Sequence, residues 1–195
     1  MGCIVSMYAF KYLSGENLEF LKASTGYDES TIKQMHKMFI TECPNGRLTP
    51  KKFIDLYKLF IWRGNAEMYC EHVFRTFDTD QNGFIDFGEF LVAMYVTSAG
   101  SAEEKLTWAF RMYDVDGNGT IDPDEMLKVV RAIYGMGRED DTEPSSVADD
   151  RARKIFRRMD ENGDGQITGE EFLRGCLEDD ELSKLLAPNI AEYCE

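Results

Sequence analysis

Three twelve-residue stretches place oxygen-bearing side chains at the same spacing: DTDQNGFIDFGE at 78–89, DVDGNGTIDPDE at 114–125 and DENGDGQITGEE at 160–171. Each has an acid or amide at positions 1, 3 and 5, glycine at position 6 and glutamate at position 12, the pattern of a loop that wraps a hard divalent cation. Calcium takes six to eight oxygens at roughly 2.3–2.6 Å, and a short loop supplies them by pointing alternate residues inward. The ligands expected are Asp78, Asp80, Asn82, Phe84, Asp86 and Glu89 in the first stretch; Asp114, Asp116, Asn118, Thr120, Asp122 and Glu125 in the second; and Asp160, Asn162, Asp164, Gln166, Thr168 and Glu171 in the third. Phe84, Thr120 and Gln166 stand at position 7, where the backbone carbonyl is the donor and the side chain is free to vary. Glycine at position 6 permits the positive φ of the sharp turn, and the position-12 glutamate closes the shell with both oxygens. The third stretch has one acid fewer among these positions and is expected to bind most weakly. The expected cofactor is Ca2+ at three sites, with Mg2+ at rest left open.

Such loops need rigid elements on either side. Before each one, apolar residues recur at helical spacing: Cys70, Val73, Phe74 and Phe77; Leu106, Ala109, Phe110 and Tyr113; Ala152, Ile155, Phe156 and Met159. After each one the pattern resumes with Phe90, Leu91 and Met94; Met126, Leu127 and Val130; Phe172, Leu173 and Cys176. Each unit is therefore a helix–loop–helix EF-hand. Position 8 is Ile85, Ile121 or Ile167, which suits a short β-bridge between paired loops. EF-hands pair, so three imply a fourth, and TECPNGRLTPKK at 41–52 supplies it. Gly46 and Leu48 keep positions 6 and 8, but Thr41 and Cys43 replace acids and Lys52 stands at position 12, where an ammonium repels the ion. Pro44 stiffens this loop further. The fold class expected is all-α, with four EF-hands in two paired lobes and short β-bridges between paired loops.

The remaining sequence narrows the function. A net charge of −14 argues against nucleic acid as a partner. Fourteen acids lie inside the three loops, so much of that charge is concentrated at the expected sites. The five cysteines, Cys3, Cys43, Cys70, Cys176 and Cys194, are scattered and contain no C-x-x-C pair, which fits reduced thiols in a cytoplasmic setting. No apolar run reaches membrane-spanning length, and the N-terminus does not resemble a secretory leader. There is no Gly-rich phosphate loop and no nucleophile–base constellation, and His36 and His72 read as ordinary helix residues, so an enzyme is not expected. Residues 96–103 read as a connector with Gly100 as a hinge and Ser101–Glu104 as a capping box; residues 135–150 read as a polar loop. The organisation expected is an N-terminal acylated segment at 1–25, one lobe at 26–98, a second at 99–180 and a tail at 181–195. Met1-Gly2-Cys3-Ile4-Val5-Ser6 fits the N-myristoylation pattern at Gly2. One such chain gives only marginal membrane binding, around 10⁴ M⁻¹, and Lys11 is the lone cation of the first 20 residues. Cys3 is either a second, palmitoylated anchor or an idle thiol.

The stretches TECPNGRLT, EHVFRTFDTDQNGFIDFGEF and KLTWAFRMYDVDGNGTI, together with the initial MGC, resemble the neuronal calcium sensor family, nearest its recoverin, visinin-like and hippocalcin group. The resemblance runs from about residue 15 to 185. It implies a two-lobed protein that exposes a hydrophobic groove on its first two hands when calcium binds, here Met35, Phe39, Phe53, Leu56, Tyr57, Phe60, Phe90 and Met94. The family usually carries an aromatic, often Trp, where this chain has Met35, so the groove is softer. On spacing alone the same stripe reads as core before groove, because helical periodicity does not separate the two. The implied partners are an amphipathic helix of a kinase, cyclase or channel type and, through the acyl group, a membrane surface. The implied location is the cytoplasm with peripheral attachment to membrane. A calcium buffer, a calcium-triggered photoprotein and a cyclase activator of the same family are the alternatives.

Overall fold

The computed structural model of the chain describes residues 11–60, 67–136, 146–179 and 186. Its first helix, α1 (Gly15–Thr25), begins where the Ser14 hydroxyl accepts from the Asn17 N–H at 3.2 Å and ends at Gly26, whose φ of 66° closes the last turn. Leu18, Leu21 and Thr25 form its buried face, so this part of the N-terminal segment is a structural element and not a tail. Helix α2 (Glu29–Glu42) starts at the N-cap Asp28, and α3 (Pro50–Phe60) starts at a proline, whose missing N–H costs nothing at a first helical position. These two helices flank the loop that lacks acids at positions 1, 3 and 12. The second hand follows as α4 (Glu67–Phe77) and α5 (Phe87–Ala99), the third as α6 (Ala102–Tyr113) and α7 (Pro123–Met136), the fourth as α8 (Ser146–Met159) and α9 (Gly169–Glu178).

The loops pair as their position-8 residues foretell. Leu48 and Ile85 exchange two backbone hydrogen bonds of 2.9 Å each, joining hands 1 and 2. In hands 3 and 4 the strands β1 (Thr120–Ile121) and β2 (Ile167–Thr168) run antiparallel, with Ile121 opposite Ile167. All four position-8 side chains are buried. The fold is thus all-α apart from these bridges.

The two pairs of hands meet along α4, which packs on α6 and α7. Phe77 meets Trp108 edge to face at 5.5 Å between ring centres, and the Arg75 Nη2 donates to the Met112 carbonyl at 2.7 Å. Helix α1 lies against α5, with Tyr27 and Tyr95 edge to face at 5.8 Å.

The connectors are shorter than the sequence suggests. Helix α5 runs to Ala99 and α6 starts at Ala102, leaving only Gly100 and Ser101 between them. Gly100 is required there, since a Cβ would sit 2.5 Å from the Val96 carbonyl oxygen. Ser101 and Glu104 form the expected capping box. The polar stretch expected as loop over 135–150 is helical at both ends, through Met136 and again from Ser146. Ala148 and Ala152 continue the buried face of Ile155, Phe156 and Met159, so burial extends α8 backward into a segment whose composition alone reads as loop. Among the described residues no helix is long and apolar enough to cross a membrane.

Candidate metal sites

The backbone of hand 2 turns its N–H groups into the loop. Asp78 accepts from the N–H of Asn82 at 3.0 Å and of Gly83 at 2.9 Å; Asp80 accepts from Asn82 at 3.1 Å. The Asn82 Oδ1 accepts from the Phe84 N–H at 3.1 Å. Asp86 is the N-cap of α5 and forms a capping box with Glu89. Glu89 also crosses the loop: its Oε1 accepts from the N–H of Thr79 at 2.9 Å and of Asp80 at 3.2 Å. These bonds hold Asp78, Asp80 and Glu89 so that one oxygen of each lies within 4.8 Å of the others.

Such crowding is unfavourable without a cation. Burial, together with the charges of Asp86 and Asp80, pushes Glu89 up to about 7, against the backbone hydrogen bonds that lower it. Burial likewise raises Asp78 and Asp86. The Asn82 Nδ2 is buried with no hydrogen-bond partner, an orphaned polar atom inside the loop. Hard oxygen donors and uncompensated negative charge both suit a divalent cation.

Hand 3 repeats this arrangement. Asp114 accepts from Asn118 and Gly119, each at 3.0 Å, and Glu125 accepts from Val115 at 2.8 Å and Asp116 at 3.1 Å. Asp122 receives the Glu125 N–H at 2.8 Å, and the Thr120 N–H goes to Asn118 at 2.8 Å. Asp114, Asp116 and Glu125 gather as their counterparts do in hand 2.

Hand 4 differs. Asp160 still accepts from Gly163 at 2.8 Å and Gly165 at 3.1 Å, and the Gln166 N–H goes to Asp164 at 2.8 Å. The Asn162 amide donates to Asp164 at 3.0 Å, as that of Asn118 does to Asp116 in hand 3, but here the Thr168 hydroxyl donates to Glu171 at 2.8 Å. Asp160, Asp164 and Glu171 do not close into a cluster like the other two. Hydrogen bonds from Thr168 lower Glu171, in contrast to Glu89. With one acid fewer at the ligand positions there is less repulsion for an ion to relieve.

In hand 1, Gly46 keeps its left-handed φ of 76°. The Lys52 ammonium, at position 12, donates to the backbone carbonyl of Glu42 and lies 3.3 Å from the Glu42 carboxylate. The Arg47 guanidinium stands 4.3 Å over the Phe84 ring of hand 2. Neither contact was visible in the sequence, because the first depends on how loop 1 closes and the second on how the loops pair.

Part of the stripe assigned to a target groove packs inward. Phe39 packs on Phe87 and Phe90 at 5.6 and 5.4 Å, and Phe53 on Tyr57, Phe74 and Phe77 at 5.8, 5.7 and 5.6 Å. Phe39 and Phe53 are buried, while Met35, Leu56, Tyr57 and Phe90 are partly buried against the core, and Met94 is of intermediate exposure. Gly2, Cys3 and the Phe60 side chain lie outside the described residues. The residue that sequence reading missed is Arg75. Its position in an amphipathic helix looks like any surface cation, and only the packing of α4 on α6 gives it a partner.

A family model described as an EF-hand domain pair matches residues 103–177, and one described as an EF hand domain matches 69–97. The chain is 47% identical over 176 residues to Neuronal calcium sensor 1 of Lymnaea stagnalis, covering 89% of this chain and 92% of that protein. Identity to Neuronal calcium sensor 1 of Aplysia californica is 46%, with the same coverage. Recoverin of Homo sapiens is 37% identical over 178 residues, covering 89% of each chain.

Proposed function

The chain belongs to the neuronal calcium sensor family, and from that membership we propose that it is a regulator that binds up to three calcium ions and then exposes an apolar groove to a target helix. It is a calcium-binding protein and not an enzyme. The observation that carries the reading is the gathering of Asp78, Asp80 and Glu89, and of Asp114, Asp116 and Glu125, with charge left uncompensated in hand 2. Asp86 and Asp122, with the position-7 carbonyls of Phe84 and Thr120, complete the oxygen sets of hands 2 and 3. Asp160, Asn162, Asp164, Gln166, Thr168 and Glu171 form the third and weakest site. Bound calcium would supply the charge compensation that these carboxylates lack, with Glu89, Glu125 and Glu171 as its position-12 ligands.

Opening would turn Phe39, Phe53, Leu56, Tyr57, Phe60, Phe90, Met35 and Met94 outward, and an amphipathic helix would dock on them. The target is of kinase, cyclase or channel type. Residues 26–98 and 99–180 act as the two lobes, after an acylated segment at 1–25 and before a tail at 181–195. Myristate on Gly2, with Cys3 as a second acyl site, would hold the protein at the cytoplasmic side of a membrane.

A titration with a dye that fluoresces in apolar surroundings tests this reading. A rise with calcium and none with magnesium is the expected result. Three bound calcium ions with no rise would replace the sensor by a buffer.

A further inference from the structure

We propose that Lys52 is a tethered cation that takes the metal's part in hand 1 and so positions the loop of hand 2 for calcium; this rests on the reading that hand 2 binds the ion. The argument begins with a span that three loops share. In hand 2 the position-12 residue, Glu89, reaches across the loop to the N–H of position 2, Thr79. In hand 3, Glu125 does the same to Val115. In hand 1, Lys52 makes the same crossing from position 12 to position 2, but it donates to the carbonyl of Glu42 and does not accept from an N–H. The crossing is kept and its polarity is reversed.

That reversal has a physical reason. A metal-bound loop is held closed by a cation drawing oxygens together. Hand 1 has Thr41 and Cys43 where hands 2 and 3 have acids, so it cannot recruit an ion from solution. Lys52 brings a cation on its own side chain, a compact point charge with three donors. It collects two oxygens, the Glu42 carbonyl and the Glu42 carboxylate at 3.3 Å. Glu42 ends α2, so its carbonyl is one of the groups that a helix leaves without an intrahelical partner. A lysine there also complements the negative end of the helix.

The closed loop is useful because of what rests on it. Residues 7 and 8 of loop 1 touch residues 7 and 8 of loop 2. Arg47 covers Phe84 at 4.3 Å, and Leu48 exchanges both hydrogen bonds with Ile85. Phe84 is the residue of hand 2 whose backbone carbonyl is a calcium donor in a loop of this type. Loop 1 therefore holds the donor of loop 2 in place, at rest and without any metal of its own. Hand 1 is a support that is always loaded, and Lys52 is its positioning residue.

The test isolates hand 2 by silencing the others with Glu125→Gln and Glu171→Gln in the full chain. Calcium affinity of that background is then measured by calorimetry with Lys52, Lys52→Arg, Lys52→Gln and Lys52→Met. Loss of a charge-assisted contact of this kind predicts about a fivefold weaker hand 2 in the Met and Gln variants and near-parental binding in the Arg variant. Amide hydrogen exchange of Leu48 and Ile85 in calcium-free protein supplies a second readout, with faster exchange expected in Lys52→Met and Lys52→Gln. Unchanged affinity and exchange in both variants would overturn the proposal, as would a Gln variant equal to the parent, since charge would then be irrelevant. A background that binds no calcium with Lys52 intact would instead overturn the underlying reading of hand 2, and the proposal with it. Far-UV circular dichroism confirms that each variant compared is folded.

Discussion

Arg75 of α4 reaches across to α6 and donates from Nη2 to the Met112 carbonyl at 2.7 Å, so one guanidinium ties together the entering helices of hands 2 and 3. It stands three residues before Asp78, and Met112 stands two before Asp114. The bond joins elements of both paired units just upstream of two metal loops. Met112 lies in the last turn of α6, where carbonyls lack helical partners, so the contact also acts as a cap. Replacing Arg75 by Met removes a charged donor and leaves that carbonyl unsatisfied, an expected loss of about 1–3 kcal/mol. Urea unfolding of calcium-free protein measures it; Arg75→Lys should recover part of the loss. A Met variant as stable as the parent would mean that packing alone joins the hands.

Gln81 has a φ of 57°, whereas Gly117 and Gly163 fill the same position 4 of hands 3 and 4 with φ of 73° and 72°. A side chain in the left-handed region carries a steric cost that glycine avoids. Gln81→Gly should therefore stabilise the calcium-free protein by about 0.5–1 kcal/mol, with all ligand oxygens of hand 2 retained. A lower unfolding midpoint would show that the Gln81 side chain supplies a contact worth more than the strain.

Glu125 is buried and closes hand 3 from position 12. Glu125→Gln keeps its shape but removes one oxygen and the charge. Calorimetry should then show the calcium stoichiometry reduced by one, or hand 3 weakened by at least about tenfold. An unchanged isotherm would remove Glu125 from the ligand set.

His72 faces Arg75 and Lys128, and burial with these two charges lowers it from 6.5 to about 4. The folded protein holds it neutral, while the unfolded chain takes up a proton as pH falls through the ordinary range. Its stabilising contribution is full above about pH 6.5 and is lost as pH falls toward 4. Between about pH 7 and pH 5.5 the parent should lose about 1 kcal/mol more than His72→Gln, measured by chemical unfolding in chelator. Parallel pH curves for the two proteins would place the pH sensitivity elsewhere.

The metal loops were legible because the ion dictates residue types at fixed spacing, independent of tertiary context. The same spacing marked hand 1 as defective and hand 4 as poorer, through Asn162 and Thr168. Burial, by contrast, depends on what arrives from elsewhere. Helix α1 has only Leu18, Leu21 and Thr25 to signal its inner face, too few for periodicity to stand out. Helix α8 begins in Ser, Val and Ala, a composition equally at home in a loop, and becomes helix because Ala148 finds a core. The Lys52 ammonium opposes a metal by its charge, yet its carbonyl partner follows from loop closure, which sequence does not display. Phe39 and Phe53 show the same limit: spacing finds an apolar stripe, and only packing shows these two turned inward.

Trp108 gives the molecule a gauge of its own. Its ring stands edge to face with Phe77, the residue immediately before Asp78, at the seam between the two pairs of hands. Any movement of α4 against α6 changes the polarity around that indole and therefore the colour and yield of its emission. Rearrangement at the seam can be followed in real time in unlabelled protein, with Trp62→Phe removing the other tryptophan. A stopped-flow trace would then reveal whether the halves part in one step or two.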